Sequence, residues 1–484
     1  MPDTLDETYD RTLEEIGKQN WKYAHRLFQC VAASSRPLRV EELAEFLALD
    51  FNTDSTPTLR EDWREEDPAH AVRSTCSSLL TLVDVDGSSV IQFAHFSVQE
   101  YLTSKRLVES KDTISRFHVS MSLAHTIIAQ ACLGVLLHIH ERTTNDDLER
   151  FPLAKYAAQY WVGHARFQGV LSNIQDGMKR LFDPNNHHLS VWVWIYNPEL
   201  GTGDSNSECP SQARVTTPLH YAAFCGLHDV VEFLIIEHSQ NVNIRGLHFV
   251  ETPLSAGCRK GHSEVARVLL KHFANPEIRD IKDYSPLDRA SENGHVEALQ
   301  VLLEHNADVN SSGKNDRYTA LHFASGYGEV EITRVLLENG ADANAKQIDY
   351  LTPLHMAIND RVAWALLLYG ANPNARDRRN RTPLHCVMQW ESAEAARALL
   401  ENGVDANAQD ADNRTPLHVA SEMGHLDGVQ LLLHYSADIH ARDNKYRTPS
   451  QIASASASSP VFHGQHQEVI RLLLEHGAEN HSPS

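Results

Sequence analysis

Asn413-Arg414-Thr415-Pro416-Leu417-His418-Val419-Ala420-Ser421-Glu422-Met423-Gly424-His425 is the stretch on which the reading of this chain turns. Its central phrase, Thr-Pro-Leu-His, returns intact or altered at Thr217, Thr252, Ser285, Thr319, Thr352, Thr382, Thr415 and Thr448, at intervals of 35, 33, 34, 33, 30, 33 and 33 residues. A threonine hydroxyl caps a helix, and proline at the first helical position needs no amide partner. Leu417, Ala420, Leu431 and Leu432 fall at helical spacing and supply a buried stripe, and Gly424 ends the first helix of the pair. One such unit cannot bury its own apolar face, so neighbours must stack on it.

A period near 33 carrying T-P-L-H resembles the ankyrin repeat, over residues 213–484. The resemblance implies a solenoid of about eight helix pairs with a concave surface that recognises other proteins and contains no reaction chamber. The unit at Thr352 has 30 residues, and the deficit is expected between Asn359 and Trp364, where its helices turn. The last unit reads Thr448-Pro449-Ser450-Gln451 and carries an added loop from Ser454 to His463, as suits a terminal repeat with one face in water. Tyr350, Asn380, Asn413 and Tyr446 stand where glycine is usual, two residues before the threonine, a position expected to be left-handed.

With 64 acidic and 43 basic side chains the net charge is −21, which opposes general binding to nucleic acid or to anionic membranes. The seven cysteines are scattered singly, with no C-x-x-C pair, as in a reducing cytoplasmic or nuclear setting. The apolar runs Val191 to Tyr196 and Phe233 to Ile236 are too short to span a bilayer. No basic and apolar leader stands at the N-terminus.

Upstream of the repeats the pattern is mainly α: a helical segment over 1–35, a winged-helix-like domain over 36–108, a helical connector over 109–200 and a linker over 201–212. Arg36-Pro37-Leu38 interrupts the helices, residues 50–68 read as a loop, Ala69 to Leu80 as a helix, and Asp86-Gly87 as the turn of a tight hairpin. Ser97 to Leu107 reads as one further helix, and Val191 to Tyr196 is expected to pack the connector onto the first repeat. Leu5-Asp6-Glu7-Thr8-Tyr9, Arg36-Pro37-Leu38 and His95-Phe96-Ser97-Val98-Gln99-Glu100-Tyr101-Leu102 resemble the region after the nucleotide-binding domain of fungal NACHT-ankyrin proteins, NLR-like signalling NTPases. That resemblance implies a sensor whose repeats read a ligand and report it to a nucleotide switch.

The chain departs from that family at the motor. A phosphate-cradling loop needs G-x-x-x-x-G-K-[ST], whereas the Gly-Lys pairs here, Gly17-Lys18 and Gly313-Lys314, have neither the first glycine nor the hydroxyl. Met1 is thus expected to enter the family pattern after its motor. The reading is a non-enzymatic protein-interaction module, the regulatory part of an NLR-like protein, that binds no nucleotide and needs no cofactor. Two alternatives stand beside it: a truncated piece of a NACHT-type NTPase, and a winged-helix DNA-binding regulator. Arg73 alone is basic on the helix that would enter a groove, which counts against the latter.

The 29 histidines invite a metal or catalytic reading. His220, His322, His355, His385 and His418 are the fourth letter of the repeat phrase, and His262, His295 and His425 follow its glycine, where they would bond neighbouring turns. His138-x-His140 and His463-x-x-His466 lack the remainder of a metal motif, and no G-x-S-x-G occurs. No catalytic, cofactor or metal residue is therefore assigned. The partner-binding candidates are Tyr327, Trp390 and Met423 at first-helix positions with Tyr350, Arg378 and Arg379 at turn tips, expected to form an apolar centre with a charged rim. Tyr221 and Phe323 occupy comparable helices, either as surface or as padding between them.

Overall fold

The computed structural model describes residues 5–16, 20–52, 56–76, 79–85, 87–109, 113–203, 209–210, 217–247, 249–390, 392–457 and 465–478. The chain divides into two compact units, Met1–Asn241 and Val242–Ser484. Gly17-Lys18, Asp86, most of the linker and most of the late loop fall outside the described residues.

The first unit opens with helices α1 (Leu5–Glu15) and α2 (Trp21–Ala33). There follow β1 (Leu38–Arg39), α3 (Val40–Glu45), β2 (Leu49–Asp50), β3 (Thr58–Leu59), α4 (Pro68–Cys76), β4 (Leu80–Val85) and β5 (Ser88–Phe93). Strands pair antiparallel in the order β1-β5-β4, with Ile91 opposite both Leu38 and Leu82. This is a winged helix. Leu27, Phe28, Leu43, Phe46, Val72 and Ile91 are its buried core.

Residues 50–68 are not the plain loop expected. β2 pairs with β3, and Arg64 Nε donates to Glu45 at 3.1 Å. Two-residue strands show no periodicity from which to read them. α4 ends at Cys76, since Leu80 already belongs to β4. The single helix expected over 97–107 is two, α5 (Phe96–Leu102) and α6 (Lys105–Glu109).

The stretches of sequence around Tyr9 and His95 meet in space. His95 caps α5 through Ser97, and the Ser97 hydroxyl lies 2.6 Å from His95 Nδ1 and 2.8 Å from the Tyr9 hydroxyl. Tyr101 donates to Asp10, its ring centroid 5.4 Å from that of Tyr9, and Arg106 bonds Asp6. The motif residues thus fasten α1 to the winged helix.

The connector comprises α7 (Met121–His138), α8 (Asn145–Leu148), α9 (Ala154–Ala165), α10 (Gln175–Phe182) and α11 (His188–Ile195). The short apolar segment Val191 to Tyr196 is accordingly the end of α11 with its C-cap residue. Among the described residues α7 is the one helix long and apolar enough to cross a membrane. Here it packs against α2 and α9 and buries residues from Ala124 to Leu136 around its circumference. Trp192 donates to the Ala158 carbonyl at 2.8 Å and stands 6.1 Å, centroid to centroid, from Tyr221. Tyr221 lies on α12 (Pro218–Phe224), which with α13 (His228–Ile236) forms the first repeat, so the expected packing on the connector is present.

In the second unit, first helices such as Ala320–Tyr327, Pro383–Gln389 and Pro416–Met423 alternate with second helices such as Val330–Glu338, Asp360–Leu368 and Ala393–Glu401. The short repeat keeps a second helix of nine residues, Asp360–Leu368, capped by the Asn359 side chain, which accepts from the Val362 amide at 2.9 Å. What shortens is its first helix, reduced to a 3-10 turn over Pro353–Met356. The deficit therefore falls before Asn359 and not after it. Proline at the first position and the Thr352 cap still start a helix there, but no residues remain for a second turn.

Candidate partner-binding surface

The repeat histidines are structural. His322, His355, His385 and His418 each accept, at Nδ1, the amide of the threonine three residues earlier, at 3.1–3.3 Å. Each Nε2 faces the carbonyl just before the next repeat's threonine: Leu351, Arg381, Arg414 and Arg447, at 3.0–3.2 Å. An amide can only donate and a carbonyl can only accept, so each ring is neutral with its proton on Nε2. Burial pushes His322, His355 and His385 down to about 4. His220 differs: its Nε2 meets Glu199 at 2.6 Å, both side chains fully buried.

Two further ladders tie the units of the array. Backbone amides of Ile348, Arg378, Ala411 and Asn444 donate to the carbonyls of Asp316, Asp349, Arg379 and Asp412 along the turn tips. At the opposite ends of the first helices, His295, Asn359, Ser392 and His425 donate to the carbonyls of Arg259, Gly328, Ile358 and Met388 at 2.6–3.1 Å. The expected role of His295 and His425 is met by these bonds. From Thr252 onward, the residues two before the threonine or serine that opens each phrase, Tyr350, Asn380, Asn413 and Tyr446 among them, have φ between 51° and 65°.

These ladders sort the six candidates into two groups. Tyr327, Trp390 and Met423 lie at first-helix C-termini; Tyr350, Arg378 and Arg379 lie at the turn tips before the helices begin. A seven-residue helix such as Pro383–Gln389 separates the groups by about 10 Å. A single apolar centre with a charged rim is therefore not what the fold builds. Arg381 Nη1 donating to Gln389 at 3.2 Å, and Arg414 bonding Glu422, span that gap with polar side chains.

The C-terminal group forms a row along successive repeats. Tyr327 is 55% exposed, its hydroxyl donating to Glu292 at 3.3 Å, and Trp390 is 44% exposed. Between them stands Ile358, 40% exposed, its carbonyl held by Ser392 and its side chain beside Gly328, where a Cβ would come within 2.9 Å. Sequence reasoning missed Ile358 because the shortened first helix removes it from the register used to pick the others. Met423, half-buried, continues the row. Beside Trp390 and Met423 a cleft of about 250 Å³ is lined by Val387, Met388, Ser392, Glu394, His425 and Asp427. Tyr221 and Phe323, by contrast, are buried and serve as padding.

The tip group is largely occupied with itself. Arg378 pairs with Asp349 at 3.4 Å and lies 5.5 Å over the Tyr350 ring, with Lys346 at 5.7 Å on the same ring. Arg379 is exposed, its amide held by Asp377 at 2.9 Å.

In the first unit, α4 exposes His70, Arg73 and Ser74 and follows the acidic run Glu65-Glu66-Asp67. A groove of about 420 Å³ between α4 and the hairpin is lined by Ala69, Val72, Arg73, Leu80, Thr81, Leu82 and Ile91. His138 is taken up by Glu61 at 3.3 Å, and His463 lies outside the described residues.

Models of ankyrin repeats match residues 219–313, 312–357 and 354–443, and a model described as the winged helix domain of GPI inositol-deacylase matches residues 9–117. The protein named Azaphilone pigments biosynthesis cluster protein L, from Monascus ruber, is 28% identical over 291 residues, which cover 57% of this chain and 60% of that protein. The matched part thus spans about 60% of that relative's length. The chain carries a winged-helix domain of the GPI-inositol-deacylase type followed by ankyrin repeats.

Proposed function

We propose that this chain is a non-enzymatic interaction protein whose repeats hold a protein partner along the row Tyr327, Ile358, Trp390 and Met423. The observation that carries the reading is the exposure of large apolar side chains at first-helix ends, while aromatics needed for stacking, Tyr221 and Phe323, are buried. Ankyrin repeats generally bind proteins, and exposed Trp and Tyr commonly dominate such contacts.

The winged helix and connector are the regulatory half of the proposal. The fastening of α1 by Tyr9, Ser97 and Tyr101 supports a role like that of the corresponding part of NLR-like proteins, with any nucleotide switch supplied elsewhere. The acid run before α4, and Arg73 as the one Lys or Arg on that helix, support a protein-packing role over DNA binding. Seven unbridged thiols suit the cytoplasm or nucleus. The relative's name ties that protein to a pigment biosynthesis cluster, and a partner in such a setting belongs to the proposal too.

The test compares the full chain with Trp390→Ala by affinity purification followed by binding measurement on each recovered protein. The expected outcome is a loss of at least tenfold in affinity with an unchanged melting temperature. Equal affinity, or a large fall in melting temperature, would overturn the reading.

A further inference from the structure

Five second helices of the array carry polar side chains at the same three positions, and the second helix of the short repeat does not. At their second, fifth and ninth positions stand Glu264, Arg267 and Lys271; Glu297, Gln300 and Glu304; Glu331, Arg334 and Glu338; Glu394, Arg397 and Glu401; and Asp427, Gln430 and His434. These positions face solvent, so polar side chains are what the fold asks of them. In the short repeat the same positions hold Arg361, Trp364 and Leu368. Trp364 is 44% exposed and Leu368 82%, while Val362, Ala363 and Leu366 bury the opposite face.

Neither side chain fills a gap left by the shortened first helix, because both point away from it. Trp364 and Leu368 lie one turn apart on one helix side and form a ridge about 6 Å long. Neighbouring second helices pack on both flanks, Val330–Glu338 and Ala393–Glu401. On the first, Arg334 is engaged by Glu331 at 2.6 Å and by Glu338 at 3.8 Å. On the other, Glu394 and Glu401 make no ion pair with any described residue. Each flanking helix carries two glutamates to one arginine, Arg334 or Arg397, so the ridge runs between flanks of net negative charge, on a chain of net charge −21.

We infer that the Trp364–Leu368 ridge is a second docking surface, distinct from the first-helix row, and that its occupant is an amphipathic helix of another protein with Lys or Arg flanking its apolar stripe. Two large apolar side chains three or four residues apart on that helix would straddle Trp364 and Leu368 at ordinary helix-packing distance. Its cations would meet Glu338, Glu394 and Glu401. A second copy of this chain suits the ridge less well, since its own Glu-Arg-Glu flanks would bring carboxylates against carboxylates.

The experiment pans a randomised helical peptide library on the immobilised full chain, with counter-selection on the double variant Trp364→Arg, Leu368→Glu. That variant carries what the flanking helices already carry at these positions, and circular dichroism with a melting curve verifies its fold; Leu368→Glu alone serves if the double variant is unstable. The expected peptides have apolar residues three or four apart with Lys or Arg beside them. Synthesised, they bind the wild-type chain at least tenfold more tightly than the variant and equally well to Trp390→Ala. Enrichment of acidic-flanked peptides, or none beyond the counter-selection, overturns the proposal. So does a concentration-dependent dimer in sedimentation that the variant abolishes, which would make the occupant a second copy.

Discussion

His385 reaches the Arg414 carbonyl at 3.0 Å through Nε2, across 29 residues of sequence, while its Nδ1 holds the amide of Thr382. The bond needs a neutral ring, and His322 and His355 make the same one. An unfolded histidine titrates near 6.5, whereas these three are held at about 4 by burial. Their contribution is present above pH 6.5 and is lost as pH falls toward 4, on the order of 1–3 kcal/mol for each ring. The denaturant midpoint should accordingly fall steadily between pH 6.5 and pH 4.5.

Asp288, standing where the histidine would be in the third repeat, acts with the opposite sign. Its carboxyl is pushed up to about 6, chiefly by burial and against the pull of Arg279 at 2.8 Å. Its favourable contribution is present below the ordinary value of 3.8 and is lost as pH rises through 6. It therefore partly offsets the histidines on acidification. Asp288→Asn removes the offset, and the variant should lose stability more steeply than wild type between pH 6 and pH 4.5. A parallel or shallower pH dependence would show that this carboxyl is not the opposing group.

Tyr446 has φ of 59° and a ring 77% exposed, so it bears left-handed strain with little packing in return. Glycine adopts that backbone freely, at the cost of more freedom in the unfolded chain. Tyr446→Gly should raise stability by about 0.5 kcal/mol. A drop in the denaturation midpoint would mean that the ring packs more than its exposure implies.

The fastening of α1 makes a separate prediction. Tyr101→Phe removes the donor to Asp10 and leaves ring packing on Tyr9 in place. The expected cost is about 1–2 kcal/mol, with greater protease sensitivity near α1. Wild-type resistance to proteolysis would argue that the apolar contacts of Tyr9 and Leu13 suffice.

The repeats were legible because stacking imposes one phrase eight times, and the winged helix because its apolar periods change from helical to alternating at Leu80. Less visible were features fixed by long-range contact. The strands at Leu49 and Thr58 are too short to carry a period. Ile358 joins the row only because the first helix before it is curtailed. Tyr350 and Trp390 fall in adjoining repeats of the sequence, yet a helix length separates the ends at which they stand. In the sequence Trp364 marks only the edge of the deficit, and its exposure follows from the second helix being whole.

The short repeat supplies the last prediction. The segment from Asn359 to Trp364, where the deficit is expected, is capped by Asn359 and helical from Asp360 onward. The weak point lies earlier. In the 3-10 turn the His355 amide bonds Thr352 at 2.9 Å, and the Ala357 amide reaches Leu354 at a long 3.4 Å. Such bonds are poorer than those of an α-helix, and only one turn exists to share them. The flanking ladders remain intact, since His355 reaches Arg381 and Asn359 reaches Gly328. Opening should therefore be local, exposing Met356 and Ala357 without separating the repeats. Native-state hydrogen exchange should show the amides of Met356 and Ala357 exchanging at least tenfold faster than those of Val387 and Met388, with the Leu366 amide as protected as Leu399. Fast exchange extending through Leu366 would instead mean that the shortened helix loosens the whole unit.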